Sequence, residues 1–296
     1  ICEEQKKHAG RLENHSYTVN CEGQREFKHL HLPIRYVQHV ELLNNDARSS
    51  RSHYIAGTGA TFIMNELYKE EVLLNDKMLL VWQVSQQDSL EIYHRSDFEK
   101  SAFDKQGGRY FPYDPKVMAY ETEYNQTLSD VLGKYLDSPD DSQCTWEIAK
   151  EFDLEQRPTL FILTRTTDGD NCPDTIITVD PTKDYVVTES IDQEPDNNYQ
   201  KITKTFQHIA DQWVVIRYDL LEKSDYARKP LQELSVTFSN IVPTPPEAAE
   251  EMTVSALKLP QNMRVLVADP NERGIPVMRE DRLERLDGQF VPARGT

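Results

Sequence analysis

Residues 61–94 read TFIMNELYKEEVLLNDKMLLVWQVSQQDSLEIYH, and this stretch decides the fold. Thr61–Leu74 is rich in β-formers, with Phe62 and Met64 on a shared face. Asn75–Asp76 is a turn pair. Lys77–Val84 then alternates, placing Met78, Leu80, Trp82 and Val84 on one side. Gln86–Asp88 turns again, and Leu90, Ile92 and His94 resume the alternation. Three strands joined by short turns form a β-meander, an antiparallel sheet with one apolar face.

Upstream, Ile1, Gln5, His8 and Leu12 fall on one helical side, which predicts a short N-terminal helix weakened by Gly10. Strands are expected at Tyr17–Cys21 and Ile34–Leu43, a polar turn region at Asn44–Arg51, and a short strand at Ser52–Ala56. Residues 95–125 show no period. The next helix has a start signal: Thr127-Leu-Ser-Asp130 is a capping-box variant, and Leu128, Val131, Leu132, Tyr135 and Leu136 follow helical spacing.

Cys144–Glu151 leans to strand. Thr159–Thr166, Thr175–Asp180, Tyr185–Ser190, Ile202–Ile209, Trp213–Leu221 and Leu231–Asn240 read as further strands. Trp213 and Val215 share a face. After the Pro-Glu segment Pro243–Glu251 come short elements at Thr253–Leu257 and Val265–Ala268. Residues 270–296 are charged and Pro-containing, and are expected to form a mobile tail.

The chain of 296 residues has 50 acidic and 33 basic side chains, a net charge of −17. That field repels phosphate backbones and anionic lipid surfaces, which disfavours nucleic acid and broad membrane adhesion. No apolar run approaches the roughly 20 residues of a membrane-spanning helix. The chain begins at Ile1 rather than Met, as it would after removal of a secretory leader or after truncation. Cys2, Cys21, Cys144 and Cys172 form no CxxC pair; their even number permits Cys2–Cys21 and Cys144–Cys172 disulfides, and four buried thiols fit equally.

The order of these pieces resembles a LolA-like domain, the envelope carrier fold also found in RseB-type sensors, with planctomycete-type members most similar. Five features carry the resemblance: an N-terminal helix entering Ser16-Tyr-Thr-Val-Asn-Cys-Glu-Gly23; Leu74-Asn-Asp-Lys-Met-Leu-Leu-Val-Trp82; Tyr113-Asp-Pro-Lys-Val-Met118 before a helix; Ile176-Ile-Thr-Val-Asp-Pro181 leading into Asp184-Tyr-Val-Val187; and Asp211-Gln-Trp-Val-Val-Ile216, with Leu257-Lys-Leu-Pro260 closing the domain. Asp211–Gln212 stands where the family usually has Gly. The resemblance covers residues 1–269 and implies an α+β fold: a curved antiparallel half-barrel with a few helices over its concave face. It also implies a periplasmic or secreted location and binding of an acyl chain, a lipidated protein or an envelope partner.

Catalytic strings are missing: there is no G-x-S-x-G, H-E-x-x-H, Walker A or G-x-G-x-x-G. Asp168, Asp170 and Asp174 crowd one turn, but Cys172 stands where an EF-hand needs oxygen. His29, His31 and His39 have no partner at ligand spacing. Neither metal nor cofactor is expected. Glu70–Glu71, Asp140–Asp141 and Glu250–Glu251 read as solvated charge, because adjacent acids on a strand point to opposite faces.

The expectation is a non-catalytic protein that holds a hydrophobic ligand. Phe62, Met64, Met78, Leu80, Trp82, Trp213 and Val215 would line its cavity, with Leu128 and Leu132 on a covering helix. The alternatives are an interaction or sensor module with a filled core, recognised through an exposed edge or the acidic surface, and a hydrolase with a carboxylate site.

Overall fold

The computed structural model describes residues 1–8, 13–27, 30–44, 46–55, 65–74, 78–84, 89–98, 113–123, 126–137, 144–167, 174–193, 198–209, 211–224, 230–250, 252–257, 259, 264–270, 276–281, 283–286 and 289–292. Its largest sheet has fifteen strands whose hydrogen-bonded order has two ends, so it is not closed into a barrel. All the described pairings but one are antiparallel. The two α-helices among the described residues are short: α1 (Cys2–His8) and α2 (Leu128–Asp137).

The chain divides into two compact units. The first comprises Ile1–Leu12, Cys21–Ile34 and Tyr113–Phe238; the second comprises Glu13–Asn20, Arg35–Pro112 and Ser239–Thr296. Strands β1 (His15–Phe27) and β2 (Leu30–Leu43) give residues to both.

The second unit holds the meander. β2, β3 (Asp46–Ile55), β4 (Asn65–Leu74), β5 (Met78–Val84) and β6 (Ser89–His94) pair in sequence. The expected polar turn at Asn44–Arg51 is therefore largely strand. Its side chains find partners across the sheet: buried Arg51 donates to Gln38 Oε1 at 3.0 Å and lies 3.5 Å from Glu70. The expected single apolar face is also two. Leu73, Leu80, Leu90 and Ile92 form one core under Met252, Leu257 and Leu259, while Val40, Val72, Leu79 and Val81 are buried on the other side.

The Leu257-Lys-Leu motif thus supplies two alternating plugs to the sheet. The chain then enters β16 (Arg264–Pro270), parallel to β6, with Val265 opposite Leu90 and Val267 opposite Ile92. The segment from 270 onward contains further strands, β17 (Pro276–Asp281), β18 (Leu283–Leu286) and β19 (Gln289–Pro292); β17 pairs with β16.

In the first unit β9 (Cys144–Phe152), β10 (Pro158–Thr167), β11 (Thr175–Asp180), β12 (Val186–Gln193), β13 (Asn198–Ile209), β14 (Gln212–Ser224) and, up to Phe238, β15 (Gln232–Pro243) form an antiparallel ladder. β7 (Glu121–Glu123) and β8 (Gln126–Thr127) pair with each other in a separate sheet, and β9 is one end of the large sheet's strand order. Local motifs set the turns. Asp114 Oδ1 accepts from the amides of Lys116 and Val117, and Asp180 Oδ1 from those of Thr182 and its hydroxyl. Burial opposes ionisation of Asp180, but the bonds from Thr182 and Lys183 outweigh it and hold the carboxyl below its ordinary range. Asp211 takes a left-handed φ of 60°, which explains how an Asp serves where Gly is usual.

Candidate functional site

The site with a built apolar face lies in the first unit. Because side chains on paired strands stand side by side, the register defines rows across the ladder. Phe161 on β10 faces Val179 on β11, which faces Val187 on β12. One step along, Ile148 on β9 faces Leu163, then Ile177 and Ser190. A further step gives Trp146, Arg165, Thr175, Asp192 and Gln200.

The first two rows are mainly apolar, and Phe161, Leu163, Ile177, Val179 and Val187 form one core cluster with Leu128. Ile1, Leu132, Trp146 and Tyr185 pack against it. Ile148, in the same row as fully buried Ile177, is 54 % exposed, and Phe152 at the end of β9 is 52 % exposed. The apolar face therefore reaches solvent along the Ile148 row, while in the neighbouring row Lys150 stands opposite Phe161 with its Nζ over the ring.

α2 covers part of this face. Its start is the expected capping box: Thr127 Oγ1 accepts from the Asp130 amide at 3.2 Å, while Asp130 Oδ2 accepts from the Thr127 amide at 3.0 Å. α1 contributes Gln5, buried, whose Nε2 donates to Tyr185 O at 2.7 Å. Sequence reasoning placed Gln5 on the helical stripe but gave it no role. Its acceptor is a carbonyl 180 residues away, which no local pattern announces.

Beside α2 a small polar cavity, about 10 Å³, is lined by Thr122, Val131, Arg165, Thr175, Ile177, Ser190, Asp192 and Gln200. Thr175 Oγ1 donates to Asp192 Oδ1 at 2.7 Å, and Ser190 Oγ donates to Thr122 O at 2.5 Å. Arg165 Nη2 lies 3.6 Å from Asp192. Arg165 Nε is buried with no hydrogen-bond partner among the described residues. A larger groove of about 590 Å³ has a mixed lining, with Lys201, Arg217, Asp219 and Glu233 beside Leu220, Leu221 and Leu234.

The residues picked from sequence separate into groups. Leu128 and Leu132 meet on the helix-covered face. Leu80 belongs to the second unit's core, with Met78 and Trp82 against it. Val215 is buried, and its amide donates to Pro115 O at 2.8 Å; Trp213 packs edge-on against His208 and lies under Lys183. Phe62 and Met64 lie outside the described residues, as do Asp168, Asp170, Cys172 and the Asp140–Asp141 pair.

Glu70 and Glu71 correct the reading of solvated charge. They point to opposite faces as expected, but are only 6 % and 7 % exposed. Both faces of this sheet are packed, so each acid is matched: Glu70 to Arg51 and Glu71 to Ser50 Oγ across strands, with Lys69 of the same strand 3.0 Å from Glu71. Burial raises the Glu70 pKa, Arg51 works against that, and Glu91 adds to it. Cys21 is buried in β1. Among the described residues no three metal-ligating side chains converge, and no helix is long and apolar enough to cross a membrane.

No family model matches the chain, and no curated protein does. Solved structures similar to it include a DUF1329 family protein from Desulfovibrio piger, 12% identical over 86% of this chain and 95% of that one, with a TM-score of 0.39. A structure described as an outer membrane lipoprotein-sorting protein domain from Vibrio parahaemolyticus is 6% identical over 87% and 96%, with a TM-score of 0.37. A LolA superfamily protein from Nitrosomonas europaea is 9% identical over 86% and 96%, with a TM-score of 0.33.

Proposed function

We propose that the protein is a non-catalytic envelope protein that binds a hydrophobic ligand, an acyl chain or the acyl group of a lipoprotein, on the helix-covered face of the first unit. In this reading that face is the concave side of a curved sheet, α1 and α2 are its cover, and the protein works in the periplasm or outside the cell. The observation that carries it is the row Ile148–Leu163–Ile177: closed over by core packing at Ile177, it opens to solvent at Ile148. A flexible hydrocarbon laid along that row gains about 25 cal/mol for each Å² of apolar surface taken out of water. Leu128 and Leu132 hold α2 by apolar contact, which a chain can displace without breaking polar bonds there, whereas α1 is tied by the Gln5–Tyr185 hydrogen bond. Met78, Leu80 and Trp82 are read here as filling of the other unit's core.

The test is extraction of the purified protein with organic solvent after denaturation, followed by mass spectrometry, together with titration of the neutral apolar dye N-phenylnaphthylamine. Co-purified acyl lipids and dye binding that lipid displaces are the expected results. A clean extract from a protein that ignores the dye overturns the reading.

A second reading has its own observation. β9 ends the strand order and exposes Ile148 and Phe152. A partner protein adding a strand there would use the same residues. A tight protein partner in a pull-down from a lipid-free preparation would favour it.

A further inference from the structure

The polar row beside the apolar one has chemistry of its own. Arg165, Thr175, Asp192 and Gln200 stand abreast on four strands, one side-chain repeat from Leu163 and Ile177. With Ser190 and Val131 of α2 they line the cavity of about 10 Å³, a space that suits a single oxygen-sized group. The hydroxyls there are committed: Thr175 donates to Asp192, and Ser190 donates to a main-chain carbonyl. Arg165 Nε–H is a buried donor with no partner among the described residues. A buried N–H without an acceptor is costly, so the group that completes it is a hydrogen-bond acceptor.

Charge narrows the class further. Asp192, 3.6 Å from the guanidinium, already balances it. An incoming anion would meet that carboxylate, whereas a neutral carbonyl oxygen meets only the unused donor. We propose that Arg165 anchors the carbonyl oxygen of an ester- or amide-linked acyl chain, whose tail lies on Leu163, Ile177 and Ile148. This rests on the hydrophobic-ligand reading above and adds the chemistry of the head. Arg165 is thereby a specificity-determining residue: it separates acylated glycerol or acylated protein from free fatty acid and from plain hydrocarbon.

The experiment displaces N-phenylnaphthylamine with three ligands of one chain length: methyl dodecanoate, dodecanoate and dodecane. In the wild-type protein methyl dodecanoate is expected to bind tightest. In Arg165→Met the ratio of ester to alkane affinity falls about tenfold, the loss of one hydrogen bond from a charged donor. In Asp192→Asn the ratio of dodecanoate to ester affinity rises severalfold, because the opposing carboxylate is gone. An ester-to-alkane ratio that Arg165→Met leaves unmoved overturns the anchor while the apolar face stands. A wild-type protein that binds neither dye nor any dodecyl ligand overturns the apolar face, and the anchor with it. Should Arg165→Met lack native far-UV circular dichroism, Asp192→Asn decides: an unmoved dodecanoate-to-ester ratio overturns the proposal.

Discussion

Lys204 Nζ donates to the main-chain carbonyl of Met118 at 2.6 Å, and to that of Glu121 as well, from a buried strand position. These carbonyls lie in the segment that leads into α2, whose Leu128 amide donates to Tyr120 O. One buried ammonium thus ties the sheet to the base of the covering helix.

Burial lowers the Lys204 pKa from 10.5 to about 7, with nearby Glu121 pulling it back up. The unfolded chain therefore binds more protons than the native state between about pH 7 and 10.5, and native stability rises with pH across that window. Below about pH 7 both states are protonated and the cost is fully present. Urea midpoints measured from pH 6 to 10 should climb more in the wild-type protein than in Lys204→Met. Parallel curves would show that Lys204 titrates normally.

The Thr127–Asp130 box should carry measurable stability. Thr127→Ala is expected to cost about 0.5–2 kcal/mol, the usual penalty for losing an N-cap side chain. Asp130→Ala in that background should cost less than it does alone, because the two side chains cap each other's amides. A double-mutant cycle in urea measures the coupling; additive losses would contradict the reciprocal cap.

Gly23 is a packing requirement. A Cβ there would lie 2.1 Å from Glu233 O and 2.9 Å from Leu234 Cα, both backbone atoms of the neighbouring strand. Gly23→Ala is expected to reach or exceed the upper end of the overpacking range of about 1–3 kcal/mol. Thermal unfolding followed by circular dichroism checks this, and a variant as stable as wild type would refute the close approach.

Ile148 and Leu163 are neighbours across β9 and β10 with opposite expected behaviour. Leu163→Ala should destabilise by about 2–5 kcal/mol, as for other fully enclosed leucines. Ile148→Asp, at a half-exposed strand position, should cost about 1 kcal/mol, the span of strand propensity, while weakening dye binding. Intact dye binding in Ile148→Asp would remove the open end of the apolar row from the site.

Much of this was written in local pattern. Alternation at Met78, Leu80 and Trp82 announced a strand, and Thr127 with Asp130 announced a helix start. Each depends on residues a few positions apart, whose geometry follows from the backbone period and from short-range hydrogen bonds.

What the chain alone left undetermined depends on partners far away in sequence. Residues 46–51 are too polar to read as strand; they become one because Arg51 meets Gln38 and Glu70 across the sheet. The burial of Gln5 and Lys204, the parallel placement of β16 on β6, and the row that sets Arg165 beside Leu163 follow from strand order. A polar side chain is enclosed only when the fold brings it a counter-group, and period and composition do not say which distant strand will supply one.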